Sequence, residues 1–264
     1  MSALLPVRQV AKPWGRDVLP APFIAPGGER IGEIWFEPPP ELPGLLVKYI
    51  FTSEKLSVQV HPSDAQRPGE GKEECWLIVD AEPGASLGIG LRETLDAEAL
   101  RAAALDGSVE QLMEWHPVRA GDFFYIPANT VHAIGPGVSL IEVQQNSDTT
   151  YRLYDYGRPR EMHLDHAVEV ANAAPYPASL RDRASPGETV RLVDGRFFRL
   201  DQVTGGSFAQ VAGDYARSPL LVIPRDATAT IADQDIAPGQ CGLALSLDEL
   251  ALSPTGTYLL SQTL

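Results

Sequence analysis

Apolar residues in this chain come in short runs or alternations, and 23 prolines and 23 glycines cut them into strand-sized pieces. That punctuation predicts a mainly β protein, many short strands arranged as a sandwich or barrel. The clearest strands are Leu45 to Phe51, Leu56 to His61, Cys75 to Asp80, Phe123 to Ile126 and Val138 to Gln145. A second set follows Thr189 and includes Leu220 to Ile223, Ala227 to Ile231 and Tyr258 to Leu260. Gly135-Pro136-Gly137 reads as a hairpin turn. Helical spacing interrupts the pattern from Leu95 to Leu105, and Ser108-Val109-Glu110-Gln111 fits a capping box, so a helical insertion is expected at about residues 94–116. Asn172 to Glu188 lacks periodicity and reads as a linker. The chain is thus expected to divide into residues 1–175, with the insertion, and residues 176–264, the linker and a second β unit. Beyond Thr189 there is no histidine.

With 264 residues and 44% hydrophobic content the chain can bury a full core unaided. Lys and Arg total 21 against 35 Asp and Glu, a net charge of -14 that repels nucleic-acid backbones and anionic lipid. Neither a nucleic acid, a membrane surface nor a protein partner is implied. An anionic small molecule fits only if basic residues converge in a cleft around a cation. Cys75 and Cys241 follow no CxxC spacing and read as buried small hydrophobes. The start of the chain shows no leader pattern and no apolar run reaches spanning length, so a cytoplasmic setting is expected.

Three segments carry residue types that bind small divalent cations: Ser57 to Pro62, Lys72-Glu73-Glu74, and Pro127 to His132. Strand side chains alternate, so Ser57, Gln59 and His61 share one face and Leu56, Val58 and Val60 the other. By the same period Glu74, Trp76 and Ile78 lie opposite Cys75, Leu77 and Val79, which favours Glu74 over Glu73. Lys48 is a charge inside an apolar strand and needs a partner or a cavity. His116, His163 and His166 have no motif around them and are read as surface or packing residues.

The spacing from Gly121 through Pro127 and Asn129 to His132 resembles the second conserved motif of the cupin superfamily. Asn129 stands where glycine is usual, and asparagine tolerates positive φ. The first cupin motif fits less closely, because Gln59 replaces its first histidine and 13 positions separate His61 from Glu74. Together with Lys12-Pro13-Trp14-Gly15, Ile31-Gly32-Glu33 before Trp35, Gly71-Lys72 before Glu74-Cys75-Trp76, Phe123 to Ile134, and Glu142 to Arg152, these segments resemble type I mannose-6-phosphate isomerase in its short bacterial form. The resemblance runs from Lys12 to about Asp155 and is poor in the last third.

It implies two cupin-like jelly-roll β-sandwich domains with the helical insertion in the first, the second being a degenerate cupin without metal ligands. It also implies Zn2+ held by Gln59, His61, Glu74 and His132. Ser57 and Lys72 would meet a substrate phosphate, Arg152 the phosphate and a developing enediolate, and Lys48 occupies an active-site position. Glu33, Glu142 and Trp14 match family blocks and would line the cleft. Ile134 replaces a tyrosine of longer members, so no role of that tyrosine transfers.

The activity so implied is zinc-dependent isomerisation between mannose 6-phosphate and fructose 6-phosphate through a cis-enediol. Its only partner would be a small phosphorylated sugar. Arg152, Glu142 and Lys48 are the catalytic candidates, and the base at C2 stays open between a metal-bound water, Glu142, Lys48 and a histidine. Two other classes compete. An Fe(II) cupin oxygenase could use two histidines and a carboxylate, but Gln59 and the basic residues argue against it. A non-catalytic sugar-phosphate-binding cupin is opposed by the presence of all four ligands.

Overall fold

Leu45–Phe51 is buried at every position. Such a run is satisfied only as a strand with neighbours on both edges and packing on both faces. The computed structural model, which describes residues 3–216 and 219–264, places it in the middle of a sheet. In chain order the strands are β1 (Val7–Arg16), β2 (Ile31–Phe36), β3 (Leu45–Phe51), β4 (Val58–Val60), β5 (Glu74–Ala81), β6 (Ser86–Leu91), β7 (Met113–Pro117), β8 (Asp122–Ile126), β9 (His132–Ile134) and β10 (Val138–Gln145). There follow β11 (Tyr151–Tyr154), β12 (Arg181–Arg183), β13 (Val190–Asp194), β14 (Phe198–Thr204), β15 (Leu220–Pro224), β16 (Ala229–Ile231), β17 (Gln234–Ile236), β18 (Gly242–Ala244), β19 (Leu250–Leu252) and β20 (Thr257–Thr263). Helices α1 (Ala97–Asp106) and α2 (Val109–Leu112) lie between β6 and β7, and α3 (Leu164–Val170) follows β11.

The sheets run β1-β2-β3-β10-β5-β8-β12, β11-β4-β9-β6-β7, β13-β14-β20-β15-β18 and β17-β16-β19. Strand alternation stacks them in layers. Ile50, Trp76, Ile78 and Leu140 of the seven-stranded sheet pack with Leu87, Ile89 and Ile134 of the sheet containing β4. Val47, Cys75, Leu77 and Ile141, on the other face of the seven-stranded sheet, pack with Leu200, Leu221, Ile223 and Leu259. Beyond those, Leu220, Val222 and Leu260 meet Ala229, Ile231 and Ile236. The outer face of the β4 sheet is covered by helices, Val58, Val60 and Leu153 against Leu100, Ala103, Ala167 and Val170. Gly32 on β2 passes beneath β1 so closely that a Cβ there would stand 2.6 Å from the Trp14 ring, and only glycine fits such an approach.

Several sequence expectations change. Gly135-Pro136-Gly137 is not a hairpin: β9 pairs with β4 and β6 whereas β10 pairs with β3 and β5, so the turn carries the chain from one sheet to the other. The insertion is helical only in part, since Met113–Pro117 is a strand on β6. α1 is capped by Asp96, whose side chain accepts from the Ala99 amide, and ends at left-handed Gly107. Ser108 makes no side-chain cap because its own backbone is already helical and its amide is bonded to Asp106. Within the stretch read as linker, Arg181–Arg183 pairs with β8. Among the described residues, no helix is long and apolar enough to cross a membrane.

Candidate metal centre and its cavity

Cross-strand rows on two facing sheets assemble the site. On the seven-stranded sheet Trp35 opposes Lys48, Lys48 opposes Glu142 and Glu142 opposes Trp76. On the same face of that sheet Gln144 opposes Glu74. On the β4 sheet Arg152 opposes Gln59, and Gln59 opposes His132. Opposed side chains start about 5 Å apart, so register alone gathers residues that are distant in sequence. Asn129 takes the positive φ expected of it, 73°. Its backbone amide donates to the His61 carbonyl at 2.8 Å, tying the turn before His132 to the end of β4.

Glu74 Oε2 stands 3.4 Å from His61 Nε2, and Oε1 stands 3.5 Å from His132 Nε2. One ligand atom from each of the three residues lies within 4.8 Å of the others. His61 Nδ1 meets the Thr149 carbonyl and His132 Nδ1 the Thr130 carbonyl, each at 2.9 Å. A carbonyl only accepts, so each Nδ1 carries the proton and each Nε2 presents a lone pair. Glu74 is 1% exposed, and Lys72 Nζ, 3.2 Å from Oε2, is the cation that faces it. Burial pushes its carboxyl up to about 7, and burial also holds His132 down at about 4 and His61 well below its ordinary value. Two neutral nitrogens and a buried carboxylate set between them fit a divalent cation, which would keep Glu74 ionised.

Gln59 completes this polar face. Its Nε2 lies 3.3 Å from His132 Nε2, and its Oε1 accepts from Ser57 Oγ at 3.1 Å. Turned over, the same amide offers its oxygen to an ion at the triad. Lys72 Nζ stands 3.2 Å from Glu74 Oε2 and 3.3 Å from His61 Nε2. Glu73 points elsewhere, to the Tyr125 hydroxyl.

Beside the triad lies a cavity of ≈ 260 Å³. Five basic residues line it, Lys12, Lys48, Lys72, Arg152 and Arg160, against the acids Glu33, Glu142 and Asp148, a local positive excess in an acidic chain. Lys48 Nζ is 2.9 Å from Glu142 Oε2 and 2.5 Å from Gln144 Oε1. Glu142 also accepts from Trp76 Nε1 at 3.0 Å. Burial alone would raise the Glu142 carboxyl, but Lys48 and Lys72 outweigh it and hold the group at about 2. Glu33 accepts from Trp35 Nε1 at 2.7 Å and pairs with Lys12 at 3.2 Å. Trp14 and Ile134 form part of the same wall. Arg152 Nε is buried without a hydrogen bond. Burial, with the like charge of Arg160, lowers the Arg152 guanidinium from its ordinary value.

Every site residue expected from the sequence lies in this cavity or at the triad. Arg160, Lys12, Trp35 and Asp148 line it too and were not among them. The available signal for Arg160 was the charge cluster Asp155, Arg158, Arg160 just past the matched blocks. His116 packs with Nε2 on the Ile89 carbonyl, and His163 accepts from the Arg152 amide.

No family model matches the chain. Among curated proteins it is similar to a mannose-6-phosphate isomerase of Streptococcus mutans, 36% identical over 238 residues, 83% of this chain and 69% of that protein. Among solved structures it is similar to the mannose 6-phosphate isomerase from Bacillus subtilis, with a TM-score of 0.75 at 22% identity, covering 99% of this chain and 100% of that one. A zinc-bound mannose 6-phosphate isomerase gives a TM-score of 0.68 at 14% identity over 98% of both chains.

Proposed function

The chain belongs to the mannose-6-phosphate isomerase family, and on that premise we propose that it is a zinc-dependent aldose-ketose isomerase interconverting mannose 6-phosphate and fructose 6-phosphate. One observation carries the reading. Glu74 is a buried carboxylate set between two imidazole nitrogens that both present lone pairs, beside a cavity rich in positive charge.

Gln59, His61, Glu74 and His132 would hold the metal, and one carboxylate among four ligands leaves the centre positive. A zinc ion held by these residues would supply Lewis-acid polarisation of the carbonyl oxygen of the open-chain sugar. Arg152, with its buried and unpartnered Nε, donates to the oxyanion as charge develops there. Lys48, fixed by Glu142 and Gln144, donates to a substrate hydroxyl. Glu142, which Lys48 and Lys72 hold below the usual carboxylate range, keeps Lys48 in place. Ser57 and Lys72 contact the substrate near the triad, while Trp14 and Glu33 shape the wall that excludes water.

Residues 1–175 carry the chemistry in this reading, and residues 176–264 form a degenerate second cupin domain that backs it. The setting is cytoplasmic, where the buried free thiols Cys75 and Cys241 stay reduced. A coupled assay for fructose 6-phosphate tests the proposal on zinc-loaded protein. Turnover of roughly 1 s⁻¹ or faster supports it; binding without turnover, or neither, sinks it.

A further inference from the structure

Between Lys72 and Glu74, which both reach the triad, Glu73 turns the other way. Tyr125 opposes Cys75 across the sheet, and its hydroxyl reaches diagonally to donate to the Glu73 carboxylate. The Glu73 backbone is fixed as well. Its amide donates to Gln145 Oε1 at 2.8 Å, and its carbonyl accepts from the Gln145 amide at 3.0 Å. Gln145 Nε2 donates to Asp64 Oδ2 at 2.9 Å, and Asp64 Oδ1 takes the Gly69 and Gly71 amides, each at 3.0 Å. The segment leading into β5 is thus laced to β10 on one side and to Tyr125 on the other. Tyr125 in turn stands against the second β unit. Its ring lies 6.4 Å from that of Phe198 on β14, and a Cβ on Gly195, in the turn between β13 and β14, would stand 3.4 Å from its hydroxyl. Among the described residues, none of that unit lines the cavity, whose lining ends at Arg160.

Taking the zinc-dependent isomerase reading as given, we propose that the hydrogen bond from Tyr125 to Glu73 is a strut through which residues 189–264 hold Lys72 and Glu74 in place against His61 and His132. Tyr125 and Glu73 are positioning residues, since neither belongs to the triad or lines the cavity. Glu74 is the one carboxylate of the triad and the first residue of β5. A strand end is where ladder bonds give out and opening costs least. Neighbouring side chains of a strand point to opposite faces and turn together. A charge-assisted bond on Glu73 therefore resists the rotation that would swing Glu74 away from the imidazoles. The second unit in this way preorganises the site without lending a group to it.

Zinc affinity of the full chain, read by competition with a chromophoric chelator, tests the strut without relying on turnover. Tyr125→Phe keeps the ring on Phe198 and removes only the donor, and zinc should bind roughly three- to tenfold more weakly. Glu73→Ala should match that loss, whereas Glu73→Gln, which keeps an acceptor oxygen, should retain most of the affinity. Tyr125→Phe combined with Glu73→Ala should bind zinc no more weakly than either alone, because both remove the same bond. Phe198→Leu, in the second unit, should weaken zinc in the same direction by a smaller factor. If Glu73→Ala or Phe198→Leu fails to fold, the single-atom changes Tyr125→Phe and Glu73→Gln carry the test. Zinc affinity equal to wild type in folded Tyr125→Phe or folded Phe198→Leu, or losses that add in the double variant, would overturn the proposal. Wild-type protein that binds zinc but does not isomerise the sugar would sink the isomerase reading, and the zinc affinities of the variants would still decide the strut.

Discussion

Glu74 on β5 and Asp201 on β14 are both carboxylates inside sheets, 1% and 0% exposed, yet their surroundings differ in kind. Asp201 accepts from Arg191 Nε at 3.1 Å and from the Tyr215 hydroxyl at 2.6 Å, so its charge is met within the fold. Glu74 has Lys72 at 3.2 Å on one oxygen and otherwise faces two imidazole lone pairs. Burial of a carboxylate is costly in either place. Where donors meet both oxygens the group serves structure, and where lone pairs face it the group is ready for a cation. The half with His61 and His132 has both kinds, since Glu142 there is met by Lys48 and the Trp76 indole.

Paired substitutions can break this contrast. Glu74→Gln keeps the shape but removes the charge; activity should fall by several kcal/mol of transition-state stabilisation, on the order of 10³-fold, while the melting temperature of metal-free protein holds or rises. A coupled assay and thermal unfolding on the same preparation check both halves. Asp201→Asn should do the reverse, costing about 1 kcal/mol in urea denaturation because Arg191 Nε and the Tyr215 hydroxyl lose a charged acceptor, with activity per folded molecule intact. Loss of activity in both variants, or of stability in both, would erase the distinction.

Smaller effects sharpen it. Arg152→Lys retains charge but not the fork, and kcat should drop by roughly ten- to a hundredfold with little change in stability. Glu142 lies in the same cavity as a paired carboxylate, its folded value about 2 against an ordinary 4.5. A depressed acid adds stability that is complete above the ordinary value and lost as pH falls through the folded one. Urea midpoints should therefore decline from pH 4.5 toward pH 2, and Glu142→Gln should flatten that limb.

How much of this was legible in the sequence depended on what each residue had around it. β3 and β10 match their expected bounds because both are almost wholly buried and end at turn-forming residues. Face alternation separated Glu74 from Glu73 and set Gln59 beside His61, because a period of two needs no knowledge of partners. Partners themselves were hidden. Gly135 to Gly137 announces a bend but not whether the next strand stays in the same sheet. β12 is exposed and charged at all three positions, so its strand form comes from the edge of β8 and not from its own pattern. Arg160 joins the cavity through a salt bridge to Asp155, a tertiary fact with no local period. The closeness of Gln59 to His132 likewise exists only as strand register.

Metal content and turnover measured together on one sample test the central claim most directly. Protein purified without added metal, then titrated with zinc after chelation, should gain mannose 6-phosphate turnover in step with about one bound ion per chain. The titration should fail in Glu74→Gln and succeed in Asp201→Asn. Undiminished turnover by metal-free protein, or zinc binding without any turnover, would contradict the account.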